Sequence, residues 1–327
     1  MRFVTAPEIE IALDQKSLIE ALRRAFRMGA TARPYQAPLR NRFMIENVHE
    51  ETTILLNMPS WQVDGDLGVK MVTVNEGNPA KGLPLVQGVY LFMDASTGKM
   101  RGILEAETIT GKRTSAASAL ASSYLSRNDS SRLLIVGAGA LARHFIDAHR
   151  AVRPIKDVLV WNRTPKRAHE MVANYRLQKD ANELDSIEVT DDLQAAVEGA
   201  DIVTCITSSS EPIVFGDWVR PGTHIDLVGA FSPENRESDD NLIQKARLFV
   251  DTRSGALAEA GDLIIPMNKG LITEDDVAGD LFDLTQGERE ALRRVVVDRA
   301  DRDRDRDVEA LRPGRLDGAG QRQAVED

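Results

Sequence analysis

An α/β protein, in which a doubly wound parallel sheet follows a strand-rich N-terminal region, is the architecture that this 327-residue sequence predicts. Three observations carry the prediction. The stretch "LLIVGAGALARHF" is a buried apolar strand that runs into a glycine loop and then a helix. After residue 130, continuous apolar runs alternate with helical patterns, as they do when strands are covered by helices on both faces. Residues 40–94 contrast with this, because their short strands are separated by turn clusters rather than by helices.

In chain order, Leu18, Ile19, Leu22, Ala25 and Phe26 recur at three- and four-residue spacing. The chain is therefore expected to open on a helix, capped by Asp14 or Ser17. The strands "TTILLNMP", "LGVKMVTV" and "VQGVYLFMD" follow, punctuated by "DGDLG", "EGNPAKGLP" and "ASTGK". "AETITGKRTSAASALASSYLSR" reads as a helix crowded with alanine and serine, small enough for close packing. Lys112, Arg113 and Thr114 are expected in its first turn, where cations oppose the helix dipole unless an anion binds. "RLLIVG", "DVLVWN", "ADIVTCIT", "HIDLVGA" and "RLFVDT" supply the parallel strands, with helices through "ALARHFIDAHRAV" and "PKRAHEMVANY".

The final stretch, "DRADRDRDRDVEALRPGRLDGAGQRQAVED", alternates charges and has too few apolar residues to form a core, which predicts disorder. Its "GAGQ" follows no strand and precedes no apolar helix, so it is not read as a nucleotide site. The expected division is residues 1–112, residues 113–290, and a charged tail over 291–327.

With 41 basic and 51 acidic side chains the formal charge is −10, and no basic stripe is present. That balance argues against nucleic acid and anionic membrane surfaces as partners. The one cysteine, Cys205, excludes an internal disulfide and fits a reducing compartment. Its setting in "DIVTCIT" suggests a small packing residue rather than a catalytic thiol. No apolar run approaches the roughly 20 residues of a membrane span, and "MRFVTAPEIE" lacks the apolar segment of a signal peptide. A cytoplasmic location is expected. His49, His144, His149, His169 and His224 show no metal-ligand spacing, so no metal is expected.

The chemistry concentrates after the first parallel strand. Gly137 permits the tight turn, and Gly139 lets backbone amides approach a pyrophosphate. Ala140 and Leu141 lead into the helix, and Ala142 keeps it close to the sheet. At the end of the second strand an acid would accept hydrogen bonds from the adenosine ribose and repel a 2′-phosphate. This sequence instead has "VWNRTPKR". Asn162 and Thr164 offer neutral hydrogen bonds, while Arg163, Lys166 and Arg167 supply cations that suit a phosphate. NADP is expected, with NAD also admissible. The strand "HIDLVGA" leads to Phe231, near where the nicotinamide would sit; an aromatic ring can exclude water but cannot act as a base.

Taken together, "LNMPSW", "LGVKMVTVNEGNPAKGLPLVQG", "ITGKRTSAASALA", "GAGALA", "VWNRT", "SSEPIVFGDWVRPGTHIDLVGA" and "SGALAEAGD" resemble the ornithine cyclodeaminase and mu-crystallin family over roughly residues 10 to 285. The resemblance implies a homodimer, with an N-terminal domain that binds substrate and dimerises beside a Rossmann domain. It implies hydride transfer between nicotinamide and the α-carbon of an amino or imino acid. Carboxylate-binding cations fall on Arg40 (or its neighbour Arg42), Lys70 and Arg113. Thr114 falls near the cofactor phosphates, and Thr207, Ser208 and Val228 along the cofactor.

Two departures refine this. Leu141 stands where the family usually has glutamine, which removes one polar cofactor contact. Phe231 stands where cyclodeaminases and alanine dehydrogenases carry a catalytic aspartate. Deaminating an amine requires a group that handles ammonium and water, whereas reducing a preformed imine does not. The expectation is an NADPH-dependent reductase of cyclic imino acids, with Lys70 or Lys112 as a possible proton donor. The alternatives are an ornithine cyclodeaminase or amino-acid dehydrogenase, and an NADPH-retaining ligand-binding protein. Family members usually end in a segment like F-K-S-x-G-x-A-x-x-D, of which only Ala324–Asp327 hints here, so the tail is expected to be a divergent extension or a shifted reading frame.

Overall fold

The computed structural model describes residues 2–31, 35–48, 50–177 and 183–287. The expectations about the charged tail and its reading frame lie outside these residues.

The chain opens on a strand, not on a helix. β1 (Arg2–Val4) runs parallel to a later strand and is too short to carry a periodic signal. α1 (Ala6–Ala12) follows, with Thr5 and Glu8 reciprocally capping its start. The expected helix is α2 (Gln15–Thr31). Asp14 is its cap, accepting the Ser17 N–H at 2.9 Å.

β2 (Tyr35–Gln36), β3 (Asn41–Asn47), β4 (Glu50–Gln62), β5 (Asp66–Asn75), β6 (Val86–Asp94) and β7 (Met100–Glu105) then build one sheet. Its order is β1-β7-β6-β5-β4-β2, with β3 also paired to β4. All these pairings are antiparallel except β1 with β7. In β5, Lys70, Val72 and Val74 alternate with less buried neighbours, so Lys70 shares the core-facing side of the strand.

α3 (Ala106–Leu125) is the small-residue helix, and it starts with the expected stretch, at Ala106. Glu105 caps it by accepting from the N–H groups of Glu107 and Thr108. Lys112, Arg113 and Thr114 therefore lie about two turns further on. The dipole acts over the first turn, so it does not favour an anion at Arg113. Ala116, Ala119 and Leu120 are fully buried, and the small side chains let α3 pack against α2, α4 and both large sheets. The expected boundary at residue 112 thus falls inside a helix.

The second sheet comprises β8 (Arg132–Val136), β9 (Asp157–Trp161), β10 (Ser186–Val189), β11 (Ile202–Cys205) and β12 (His224–Leu227). All its pairings are parallel, in the order β10-β9-β8-β11-β12. This is the Rossmann arrangement, with its crevice where the order reverses beside β8. α4 (Ala142–Arg150) and α5 (Pro165–Arg176) cover one face, where Leu133, Ile135, Val158 and Val160 pack against Phe145, Ile146 and Tyr175. Leu134, Val136, Val203 and Cys205 face the other side, beneath α6 (Leu193–Gly199) and α7 (Asp240–Lys245). Each fully buried Leu or Ile contributes about 1.5–3 kcal/mol, which explains why these strands read as unbroken apolar runs. Burial raises the Cys205 thiol well above its ordinary pKa, as suits a packing residue.

The "RLFVDT" strand does not join this sheet. It forms β13 (Leu248–Val250), which pairs in parallel with β14 (Val277–Asp280) in a separate two-stranded sheet. Between them lie α8 (Arg253–Glu259) and α9 (Gly261–Asn268), and α10 (Leu281–Gln286) follows. Leu281 and Leu284 of α10 pack with Ile19 of α2 and Leu120 of α3. No helix among the described residues is long and apolar enough to cross a membrane, and they contain no cluster of His, Cys, Asp or Glu able to hold a metal ion.

Candidate active site

The glycine loop follows β8. Gly137 adopts φ +114° and donates its N–H to the Trp161 carbonyl at 2.8 Å. A Cβ there would meet the Ile206 carbonyl oxygen at 2.9 Å, so only glycine suits this turn. Gly139 is exposed, with nothing within 4 Å of where its Cβ would be. No side chain caps α4: Leu141, in its capping position, packs against the core, and Ala142 is fully buried. An open glycine backbone before an uncapped helix start fits a dinucleotide pyrophosphate.

At the end of β9, Asn162 is engaged by the protein itself. Its Oδ1 accepts from Ala138 N–H at 3.0 Å and its Nδ2 donates to the Thr164 carbonyl at 3.0 Å. Its amide thus fastens the glycine loop to the neighbouring strand. Arg163, Thr164, Lys166 and Arg167 are exposed. Lys166 lies 3.8 Å from Glu170. Arg167 lines a cavity of about 370 Å³ together with Gly139, Ala140 and Leu141, so one expected cation shares a cleft with the glycine-loop backbone.

Across the crevice, β11 leads to Thr207 and the exposed Ser208, and β12 leads to Val228. Thr114 turns its hydroxyl back into α3, donating to the Thr110 carbonyl at 2.6 Å.

The strand-rich side brings three cations together. Lys70 is only 8 % exposed, and its Nζ donates to Thr110 Oγ1 at 3.3 Å. Burial, followed by the charges of Arg113 and Arg40, pushes its pKa down to about 7. Arg113 presents much of its surface to solvent, yet the surrounding protein still desolvates it. Desolvation lowers its pKa; Asp251 opposes this and Arg40 adds to it. Arg40 donates from Nε to Glu259 Oε1 at 2.7 Å, and its Nη2 also binds Glu259 Oε2. The same nitrogen reaches the Phe231 carbonyl at 3.5 Å. Two arginines beside a buried lysine make an arrangement that can receive a small carboxylate.

Arg42 stands apart: it is exposed and its charge acts on Glu234. Of that pair it is Arg40 whose charge bears on Lys70. Lys112 does not join the cluster either. Its Nζ donates to the Leu13 carbonyl at 2.8 Å and pairs with Glu10 at 2.7 Å, which makes it a tie to α1 rather than a proton donor in the pocket. Phe231 is 41 % exposed at the end of the β12 loop, and its carbonyl oxygen touches Arg40.

Two further residues belong to this cluster. Thr110 had no signal beyond its place in "ITGKRTS", because its contact with Lys70 crosses from helix to strand. Glu259 was visible only as part of "SGALAEAGD", and its partner Arg40 lies 219 positions away.

A model of the "Ornithine cyclodeaminase/mu-crystallin family" matches residues 1–297. The Delta(1)-pyrroline-2-carboxylate reductase of Paracoccus denitrificans is 40 % identical over 275 residues, covering 84 % of this chain and 82 % of its own. The ketimine reductase mu-crystallin of Rattus norvegicus is 34 % identical over 294 residues, covering 88 % of each chain. The structure of Thermococcus litoralis Delta(1)-pyrroline-2-carboxylate reductase in complex with NADH and L-proline superposes with a TM-score of 0.81 at 35 % identity. It covers 88 % of this chain and 87 % of that one.

Proposed function

Because the chain belongs to the ornithine cyclodeaminase/mu-crystallin family, we propose that it is an NADPH-dependent reductase of cyclic α-imino acids, converting pyrroline-2-carboxylate or piperideine-2-carboxylate to proline or pipecolate. At the coarser level it is an NAD(P)-dependent oxidoreductase acting on carbon–nitrogen bonds, in keeping with relatives that are named reductases. The observation that carries the finer reading is the grouping of Arg40, Lys70 and Arg113 beside a loop that offers Phe231 instead of a carboxylate.

The residues divide the work as follows. Arg40 and Arg113 attract and orient the substrate carboxylate, and Lys70 completes that receptor from the buried strand. Holding a reactant in this way can supply several kcal/mol of a barrier. A bound reduced nicotinamide supplies the hydride. Lys70, with a pKa near 7, is suited to exchange a proton at Nζ with the substrate nitrogen near neutral pH. With Phe231 in that position no carboxylate stands there to assist release of ammonia, and the Glu259 carboxylate of the cluster is held by Arg40. Gly137, Gly139 and Ala142 support the pyrophosphate, with Arg163 and Arg167 beside the 2′-phosphate. The division of labour proposed is substrate binding over residues 1–112, joined by Arg113 from the helix that crosses the boundary, and cofactor binding over the rest of 113–290.

A second copy of the chain is the proposed protein partner. All seven residues of β3 are exposed, including Phe43, Met44 and Ile45. An apolar strand open on both faces is a liability unless another chain covers it.

A paired assay tests the function. Oxidation of NADPH and NADH is followed with both cyclic imines, alongside NAD reduction with ornithine, proline and alanine. Imine-dependent NADPH oxidation without ornithine-dependent ammonia supports the reading. Ornithine turnover would instead indicate a cyclodeaminase, and tight NADPH binding without turnover a ligand-binding protein.

A further inference from the structure

Two loops at the carboxyl ends of the adjacent parallel strands β11 and β12 meet on one buried carboxylate. Glu237 is 0 % exposed. Its Oε1 accepts from the Thr207 N–H at 2.6 Å and from the Thr207 hydroxyl at 2.7 Å. Its Oε2 accepts from Val228 N–H at 3.1 Å and from Gly229 N–H at 2.6 Å. Each oxygen thus serves a different loop, and both oxygens face only donors.

The fit around this carboxylate is close. A Cβ on Gly229 would lie 1.7 Å from the Thr207 carbonyl oxygen and 2.6 Å from Glu237 Oε1, so the two loops touch here without side-chain spacing. Glu237 is itself fixed from behind. Asp262 accepts from Glu237 N–H at 3.0 Å, from Ser238 N–H at 2.9 Å and from the Ser238 hydroxyl at 2.7 Å. Burying a carboxylate is costly unless its oxygens are satisfied, and here four donors satisfy them. A carboxamide of the same shape would turn an NH2 group toward the donors of one loop and release it.

We propose that Glu237 is a positioning residue for the nicotinamide half of the cofactor site, a strut that sets the spacing between the Thr207 loop and the Val228–Gly229 loop. This rests on the reading of the crevice as a nicotinamide site. The side-chain hydrogen bonds of Glu237 run to Thr207, Val228 and Gly229, and not to the glycine loop or the end of β9, where the adenosine half is assigned. Losing it therefore affects the two halves of the cofactor unequally, which a general loss of stability would not do.

Calorimetric titration of wild-type, Glu237→Gln and Glu237→Asp proteins tests this with NADPH and NADH, and with 2′-phospho-ADP-ribose and ADP-ribose, which lack nicotinamide. Glu237→Gln is expected to weaken the preferred dinucleotide at least about tenfold, the scale of one charge-assisted hydrogen bond, while the matching nicotinamide-free ligand stays within about twofold. Its kcat for imine reduction at saturating cofactor falls as well, and Glu237→Asp, too short to reach both loops, follows in the same direction. Should Glu237→Gln fail to fold, Glu237→Asp carries the comparison. Equal loss for both ligand types, or dinucleotide binding and kcat like those of wild type, overturns the proposal. Wild-type protein that binds none of the four nucleotides overturns instead the cofactor reading beneath it.

Discussion

Arg40 and Glu259, 219 positions apart, form a forked ion pair in which Nε meets Oε1 at 2.7 Å and Nη2 meets Oε2. It joins the loop before β3 to the end of α8, and it leaves other guanidinium donors of Arg40 for a ligand. In the proposed function Glu259 orients Arg40 toward the substrate carboxylate. Glu259→Ala is expected to raise KM for the imino acid by roughly tenfold, about the value of a charge-assisted hydrogen bond, with KM for NADPH unchanged. Steady-state kinetics checks this, and a lower imino-acid KM would show that Glu259 competes with the substrate instead.

Lys70 gives a second expectation. Lys70→Met should lower kcat/KM for the imino acid by roughly thirtyfold or more, corresponding to about 2–5 kcal/mol for truncating one partner of a buried charge pair. NADPH affinity should change much less. A variant with unchanged kcat/KM for every reduced imino acid would remove Lys70 from the site.

The same substitution has a pH signature. The folded pKa of about 7 lies below the ordinary lysine value of 10.5. Between these values the unfolded chain holds a proton that the fold does not, so the wild-type protein gains stability as pH rises through the window. Below pH 7 the penalty for the buried charge is complete. Lys70→Met removes it, so the variant's Tm advantage should be greatest below pH 7 and fade toward 10.5. A Tm difference independent of pH would contradict the depressed pKa.

The proposed NADPH preference rests on the exposed cations after β9. Arg163→Asp should replace attraction with repulsion at a 2′-phosphate and weaken NADPH by about 1–3 kcal/mol, with little effect on NADH. Titration of both dinucleotides measures this. Preference of the wild-type enzyme for NADH would refute the phosphate assignment.

The proposed reaction class rests on Phe231. No ammonia should appear from ornithine under conditions where a cyclic imine is reduced, and Phe231→Asp alone should not confer cyclodeamination, because the surrounding pocket would also have to accept an ammonium. Ammonia release from ornithine by the wild-type enzyme would return the protein to the cyclodeaminases.

The parallel sheet was legible in the chain alone, since strands buried on both faces must be continuously apolar, as in "RLLIV" and "DVLVW". So was the glycine turn, because Gly137 occupies a conformation that other residues avoid. Tertiary structure alone decided which cations meet. Arg40 and Arg42 are alike in sequence, but one reaches Glu259 and the other lies exposed near Glu234. Lys112 and Arg113 are neighbours, yet successive helix positions point about 100° apart. Lys112 is therefore spent on Glu10 and Leu13, while Arg113 bears on Lys70. "RLFVDT" had the texture of a sheet strand but pairs with β14, because a strand pattern specifies burial and not the partner that provides it. Local patterns record what each residue needs; the contacts between distant residues that make a site are fixed only when the elements pack.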